Sequence, residues 1–325
     1  MLIHRAVSIL ILVLISLTSL ATAQSNSDAW SRYNRGRERL RKGDLDGAIV
    51  DFTRTIEISS RPPGGGRQVR QDFRASFNTD PVAGESASDQ ITFIDPLTAA
   101  AYGNRALAYY RKGDLDAALA DCDRSLRIHP GQVDVYNNRG VIRWAKEDFD
   151  GALKDLDYVL LKKPQDAQAL NNRGNVLVNK GEFKAAISDH DKAIALVPGQ
   201  AEYYCDRGEA RRRSGDVDGS FVDFARAIEL NPRLANAFLN RGMAWNDKKQ
   251  LDQAIADFTE AIKLDPGLVL AYCNRGLVHL RRGRDAAAEA DFAECRRLEP
   301  ALAQRLESLI TKEKSRREKS QRTGQ

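Results

Sequence analysis

One phrase returns along this chain at a fixed spacing, and that period restricts the fold more than any other feature. It reads YNRGRERLRKGDLDGAIVDF from Tyr33, YGNRALAYYRKGDLDAALADC from Tyr102 and YNNRGVIRWAKEDFDGALKDL from Tyr136. It continues as LNNRGNVLVNKGEFKAAISDH from Leu170, YCDRGEARRRSGDVDGSFVDF from Tyr204, FLNRGMAWNDKKQLDQAIADF from Phe238 and YCNRGLVHLRRGRDAAAEADF from Tyr272. From Tyr102 onward the interval is always 34 residues. Self-similarity at such a period marks stacked supersecondary units, each too small to bury its apolar face alone. The chain's 325 residues would otherwise suggest about two domains, a prior that the repeat overrides.

Setting position 1 at Ala29, Ala99, Val133, Ala167, Ala201, Ala235 and Val269 gives seven repeats, 29–62, 99–132, 133–166, 167–200, 201–234, 235–268 and 269–302. Positions 4, 8 and 11 fall on one face of a first helix, and positions 20, 24 and 27 on one face of a second. Each repeat is therefore a helical hairpin. Position 8 is Gly in six copies and Ala106 in the other, and position 20 is Ala in six copies and Ser220 in the fifth. Small residues there let the two backbones approach, and the rings at position 4 (Tyr102, Tyr136, Tyr204, Phe238, Tyr272) are expected to fill the adjacent gap as core. Gly43, Gly113, Gly181, Gly215 and Gly283 suit a helix end that needs positive φ, and the Asp residues that follow suit an N-cap. Pro130, Pro164, Pro198, Pro232, Pro266 and Pro300 then stop each second helix at position 32.

On these residues the chain resembles the tetratricopeptide repeat family over 29–62 and 99–302. The resemblance implies an all-α fold, a right-handed superhelix whose first helices line a concave face, and a scaffold that binds protein or extended peptide. A stack of hairpins needs covered ends. Leu302, Leu306, Leu309 and Ile310 return at helical spacing, which predicts a capping helix from 301 to about 318; residues 303–325 are cap and basic tail. The first repeat departs from the pattern with Arg32 at position 4 and Ser60 at position 32. It then runs into RPPGGGRQ and an insertion, 63–98, whose polar, aperiodic sequence reads as a largely disordered loop or a small added flap.

The first residues form a separate unit. Arg5, an apolar run over 6–20 and the small-x-small Ala21-Thr22-Ala23 make 1–23 a cleaved secretory signal, too short in its apolar part to span a bilayer. Its style is bacterial, so the mature chain is expected to be periplasmic and soluble, with a eukaryotic secretory route as the alternative. A sequence pI of 9.0 points towards nucleic acid. However, residues 301–325 hold seven Lys/Arg against three Glu, and this tail with Arg5 accounts for the whole net charge of +5. The repeat body is neutral, and nucleic acid is not the expected partner.

Position 7 is Arg in every copy (Arg35, Arg105, Arg139, Arg173, Arg207, Arg241, Arg275), and position 23 is Asp in every copy (Asp51, Asp121, Asp155, Asp189, Asp223, Asp257, Asp291). In an antiparallel hairpin these positions lie level, so the expected ladder includes the pairs Arg139–Asp155, Arg173–Asp189 and Arg241–Asp257, which orient the helices. Position 6 carries Asn34, Asn104, Asn138, Asn172, Asn240 and Asn274, with Asp206 in the fifth copy. An amide offers donors and an acceptor that suit an extended backbone of any sequence, and the resemblance implies that use. The same amides could equally satisfy groups between hairpins, and the sequence leaves both readings open. Positions 2, 5, 9, 12 and 13 are expected to line the groove with Trp30, Tyr33, Tyr110, Trp144, Asn171, Asn175, Asn179, Arg212, Arg213, Met243 and Asn246. The basic clamp by which some members of the family hold acidic chaperone tails has no counterpart in these residues.

Nothing in the sequence suggests catalysis. His129, His190 and His279 are scattered, with His190 at core position 24, and no metal-ligand spacing or phosphate loop occurs, so no cofactor or metal is expected. Cys122, Cys205, Cys273 and Cys295 read mostly as buried thiols. Cys273 and Cys295 lie level on partner helices, but the roughly 8 to 10 Å between packed helix axes weighs against a bridge. The alternative function is contact of the basic tail, Lys312 to Arg322, with anionic lipid or polymer at the envelope surface.

Overall fold

The structure, a computed structural model, describes residues 27–60 and 96–323, with side chains as far as Arg317. The proposed signal 1–23 and residues 63–95 of the insertion lie outside the described residues. Every regular element among those described is helical. The hairpins are α1 (27–42) with α2 (Leu45–Ser59), α3 (Pro96–Lys112) with α4 (Leu115–Ile128), and α5 (Val133–Ala145) with α6 (Phe149–Lys162). They continue as α7 (Ala167–Lys180) with α8 (Phe183–Leu196), α9 (Ala201–Ser214) with α10 (Val217–Leu230), α11 (Ala235–Asp247) with α12 (Leu251–Leu264), and α13 (Val269–Arg281) with α14 (Asp285–Leu298). A 3-10 turn, Pro300–Leu302, leads into α15 (Ala303–Thr323). The chain divides into two compact units, one ending at Val159 and the other beginning at Leu160. No helix among the described residues is long and apolar enough to cross a membrane.

The turn inside each hairpin follows from its sequence. Gly43, Gly113, Gly181, Gly215 and Gly283 all take positive φ, between 71° and 95°. The side chains of Asp44, Asp114, Asp148 and Asp216 then accept from the backbone N–H three residues on, at 2.9 to 3.0 Å, and close the second helix's N-terminus. Glu147 and Lys249 stand where the other repeats have glycine and hold the same left-handed backbone, φ 63° and 61°, at a steric cost glycine avoids.

The packing inside the hairpin differs from the sequence expectation. The ring that lies against the position 8 glycine comes from position 24, not position 4. A methyl on Gly36, Gly208, Gly242 or Gly276 would stand 2.5 to 2.8 Å from Cε1 of Phe52, Phe224, Phe258 or Phe292, all fully buried. Where position 8 is Ala106, position 24 is the small Cys122, so volume is kept across the contact. The position 4 rings are only half-buried. They pack against the core from its edge and lie under the position 7 guanidiniums: Arg105 over Tyr102 at 5.3 Å, Arg139 over Tyr136 at 5.2 Å, Arg207 over Tyr204 at 5.6 Å, Arg241 over Phe238 at 5.5 Å and Arg275 over Tyr272 at 5.8 Å. A ring there serves a cation on one side and aliphatic neighbours on the other.

Three further boundaries and contacts are corrected. Helix α3 begins at Pro96, so 96–98 belong to the second repeat rather than to the insertion; proline fits the first helical turn, and Leu97 and Thr98 are buried, with Thr98 bonded to Ser59 at 2.7 Å. Cys273 and Cys295 form a disulfide with Cα atoms 5.7 Å apart. Axis spacing is the wrong measure for that pair, because each Cα stands about 2.3 Å off its own axis and facing Cα atoms come correspondingly closer. Leu309, expected on the apolar stripe of the cap, is 42% exposed, and the cap seals the last repeat through buried Leu306 and Ile310.

Candidate functional site

The ladder between positions 7 and 23 is present in all seven hairpins. Each arginine donates Nε and Nη2 to the two oxygens of its aspartate. The Nε bonds span 2.6 to 3.0 Å, from Arg105–Asp121 to Arg207–Asp223. The Nη2 bonds close the second prong of each fork. All seven aspartates are buried. In the first, third and fifth repeats a position 11 arginine adds a second cation: Arg39 to Asp51, Arg143 to Asp155 and Arg211 to Asp223. These arginines are committed to carboxylates within their own hairpin and do not form a basic stripe.

The residues at position 6 divide into several environments. Asn34 is exposed and Asn138 half-buried. Asn104 donates to Tyr33 Oη at 3.0 Å and to Ala100 O at 2.9 Å, and Asn274 donates to Leu270 O at 2.7 Å. Asn240 donates to Cys205 Sγ at 3.5 Å. Asn172 is only 8% exposed and accepts from Gln168 at 3.0 Å. Position 5 of one repeat thus ties to position 6 of the next, as Tyr33 to Asn104, Asn171 to Asp206 and Cys205 to Asn240. The amides are not a row of equivalent free groups, because several are turned to the neighbouring repeat.

Among the other expected lining residues, Asn171 is 4% exposed and does not line an open surface, and Tyr33 is buried core. Tyr110, Trp144, Asn175 and Met243 are half-buried, with Tyr110 and Met243 packed against hydrophobic core. Asn179 is exposed and accepts from Arg213 at 3.3 Å. Arg212 is held by Glu209 at 2.9 and 3.0 Å and by Asp247 at 2.7 Å. A second line of ties, from position 12 to position 13 of the next repeat, joins Arg212 to Asp247 and Asn246 to Arg281, and Arg281 continues to Glu313 of α15. Residue spacing of 35 runs through both lines, a signal that a search for one period of 34 does not pick up.

One polar cluster joins residues of two repeats that no single helical period places together. Asp206 Oδ2 accepts from Asn171 Nδ2 at 2.7 Å and from Asn175 Nδ2 at 2.9 Å. With its nitrogen turned to a carboxylate, Asn171 presents Oδ1 to His190 Nδ1 at 3.0 Å, so the imidazole is the donor. That fixes the neutral Nδ1–H tautomer and leaves His190 Nε2, fully buried against Gly174, without a partner. Burial pushes the His190 pKa down to about 4, and burial likewise raises the Asp206 carboxyl against the pull of its two amides.

The first helices of the second unit touch in sequence, α7 on α9, α9 on α11 and α11 on α13. Their shared face carries exposed Asn179, Asn236 and Leu270 together with half-buried Met243 and Asn274. Among the described residues no group of His, Cys, Asp or Glu could hold a metal ion.

Four family models, all described as tetratricopeptide repeat, match residues 86–133, 110–173, 167–196 and 235–268. No curated protein matches in sequence. Among solved structures, a tetratricopeptide repeat protein from Parabacteroides merdae superposes with a TM-score of 0.65 at 18% identity, covering 88% of this chain and 99% of that one. The Cut9–Hcn1 hetero-tetramer of the APC/C gives 0.60 at 16% identity, over 82% of this chain and 45% of that one. A thermophilic protein of Thermus thermophilus gives 0.51 at 23% identity, over 55% and 99%. At these identities the likeness concerns the fold.

Proposed function

We propose a function from the premise that this chain belongs to the tetratricopeptide repeat family, whose members generally mediate protein–protein interaction: it is an exported scaffold that holds an extended segment of a partner protein on its first-helix face. The observation that carries this reading is the run of α7, α9, α11 and α13 in mutual contact, with amide and apolar side chains on one shared face. An extended chain advances about 3.3 Å per residue and packed helices lie about 8 to 10 Å apart, so such a segment would meet a new helix roughly every third residue. Amides on α7, α11 and α13 (Asn179, Asn236 and Asn274) can meet backbone groups of such a segment without dictating its sequence. The scaffold has no catalytic role in this reading.

Export is supported by the signal-like 1–23 and by the Cys273–Cys295 bridge, which suits an oxidising compartment such as the periplasm. The tail reading is weakened because Arg317 is bonded to Asp285, which commits one of the tail's cations to the last repeat. To test the groove reading, a photo-crosslinking residue would be placed at Asn236 or Asn274, and separately at Val222, a 68% exposed position on α10. Partners captured from Asn236 and Asn274 but not from Val222 are expected. Equal or stronger capture from Val222 would remove the first-helix face from the function.

A further inference from the structure

The buried aspartates at position 23 follow a rule that half-buried Asp206 does not. Each of the seven at position 23 is matched by an arginine in its own hairpin. Asp206 sits at position 6, is held by two neutral amides, and forms no ion pair among the described residues. Both bonds reach the same oxygen, Oδ2, and among the described residues none donates to Oδ1. Neighbouring Glu209 is already engaged by Arg212 at 2.9 and 3.0 Å, and Glu202 accepts from Gln200 at 2.8 Å. The carboxylate is thus fixed in direction, partly withdrawn from water and short of positive charge.

The amides around it point the same way. Asn175 spends its nitrogen on Asp206, and Asn240 turns its nitrogen to Cys205, so each has its Oδ1 left to accept. Asn171 is locked between Asp206 and His190, which keeps the carboxylate from rotating. What remains open is a set of acceptors on half-buried residues: one carboxylate oxygen and two amide oxygens. A guanidinium or an ammonium supplies several donors and a charge at once, whereas a peptide N–H supplies one donor and none.

We infer that the segment held on the second unit carries a basic side chain whose donors meet the free oxygen of Asp206, beside the amide oxygens of Asn175 and Asn240. This rests on the groove reading above and adds to it a chemical class of partner. Asp206 is then the residue that selects the segment, while the amides of Asn179, Asn236 and Asn274 hold it without reading its sequence. His190 acts one step behind, as a positioning residue for Asn171.

The test uses the full chain, nitrogen-15 labelled, titrated with end-capped Gly/Ser nonapeptides whose central residue is Arg or Gln. Both peptides should shift amides of α7, α9 and α11, with Arg binding roughly tenfold tighter, the equivalent of one charge-assisted hydrogen bond. Asp206→Asn, which places the amide carried by the other six repeats, should bring the ratio to about one, and Glu202→Gln should leave it unchanged. Equal binding of the two peptides to the wild type would overturn the inference and leave the groove reading standing. A ratio that survives Asp206→Asn would overturn it as well. If neither peptide shifts the first-helix face, both readings are removed.

Discussion

Replacing His190 with phenylalanine isolates one term in the stability of the fourth repeat. The site is fully buried and faces Gly174, as Phe224 faces Gly208 and Phe258 faces Gly242 in the next two repeats, so the new ring meets a surface already shaped for it. At neutral pH two effects oppose each other. The unpartnered Nε2 disappears, but Asn171 Oδ1, 4% exposed, loses its donor; each is worth about 1 to 3 kcal/mol, and they offset to within roughly 2 kcal/mol. The pH dependence is sharper. The histidine pKa is about 4 in the fold against an ordinary 6.5, so between those values the unfolded chain takes up a proton that the fold refuses. Stability therefore falls as pH drops through this window, by about 2 kcal/mol between roughly pH 7 and pH 5. Asp206, raised by burial, works in the opposite direction but is present in both proteins. Urea unfolding followed by circular dichroism at the two pH values should show the wild type losing about 2 kcal/mol more than the variant. If both lose the same amount, His190 is not held neutral by the fold and the tautomer assigned to it is wrong.

Asp257→Ala leaves Arg241 facing a buried site without its carboxylate and should cost about 3 kcal/mol, read as a lowered melting temperature; an unchanged melt would remove the fork from the architecture. Glu147→Gly and Lys249→Gly each relieve a left-handed backbone and should stabilise by about 1 kcal/mol, whereas Gly181→Ala at the equivalent turn should destabilise by a similar amount in the same thermal assay. Reductant should lower the melting temperature by opening Cys273–Cys295, a link of sequence separation 22 worth about 3 kcal/mol, and the double variant Cys273→Ser, Cys295→Ser should no longer respond to it.

The hairpins, their turns and the ladder of arginine and aspartate were legible in the residues because each depends on local spacing. A helical period of 3.6 places positions 8 and 24 on facing stripes, and a glycine four or five residues after the first helix's last core position marks the αL turn wherever it occurs. The volume exchange between position 8 and position 24 was within reach too, since Gly faces Phe, Leu or His and Ala106 faces Cys122. The pattern alone does not separate position 24 from position 4, because a face of a helix does not say which ring reaches it.

What connects one repeat to the next is set by tertiary geometry. Whether Asn104 faces a ligand or Tyr33 depends on how far one hairpin turns against its neighbour, and no periodicity within a hairpin encodes that rotation. The same rotation brings Asn171, Asn175, Asp206 and His190 into one cluster from two repeats. The sequence by itself determined the unit, its small-residue contact and its internal charge pairing, all of which act over one hairpin. Only the tertiary structure decided which amides are used up between repeats and which carboxylate is left without a cation, because hydrogen-bond partners are fixed by ångström-scale placement across an interface.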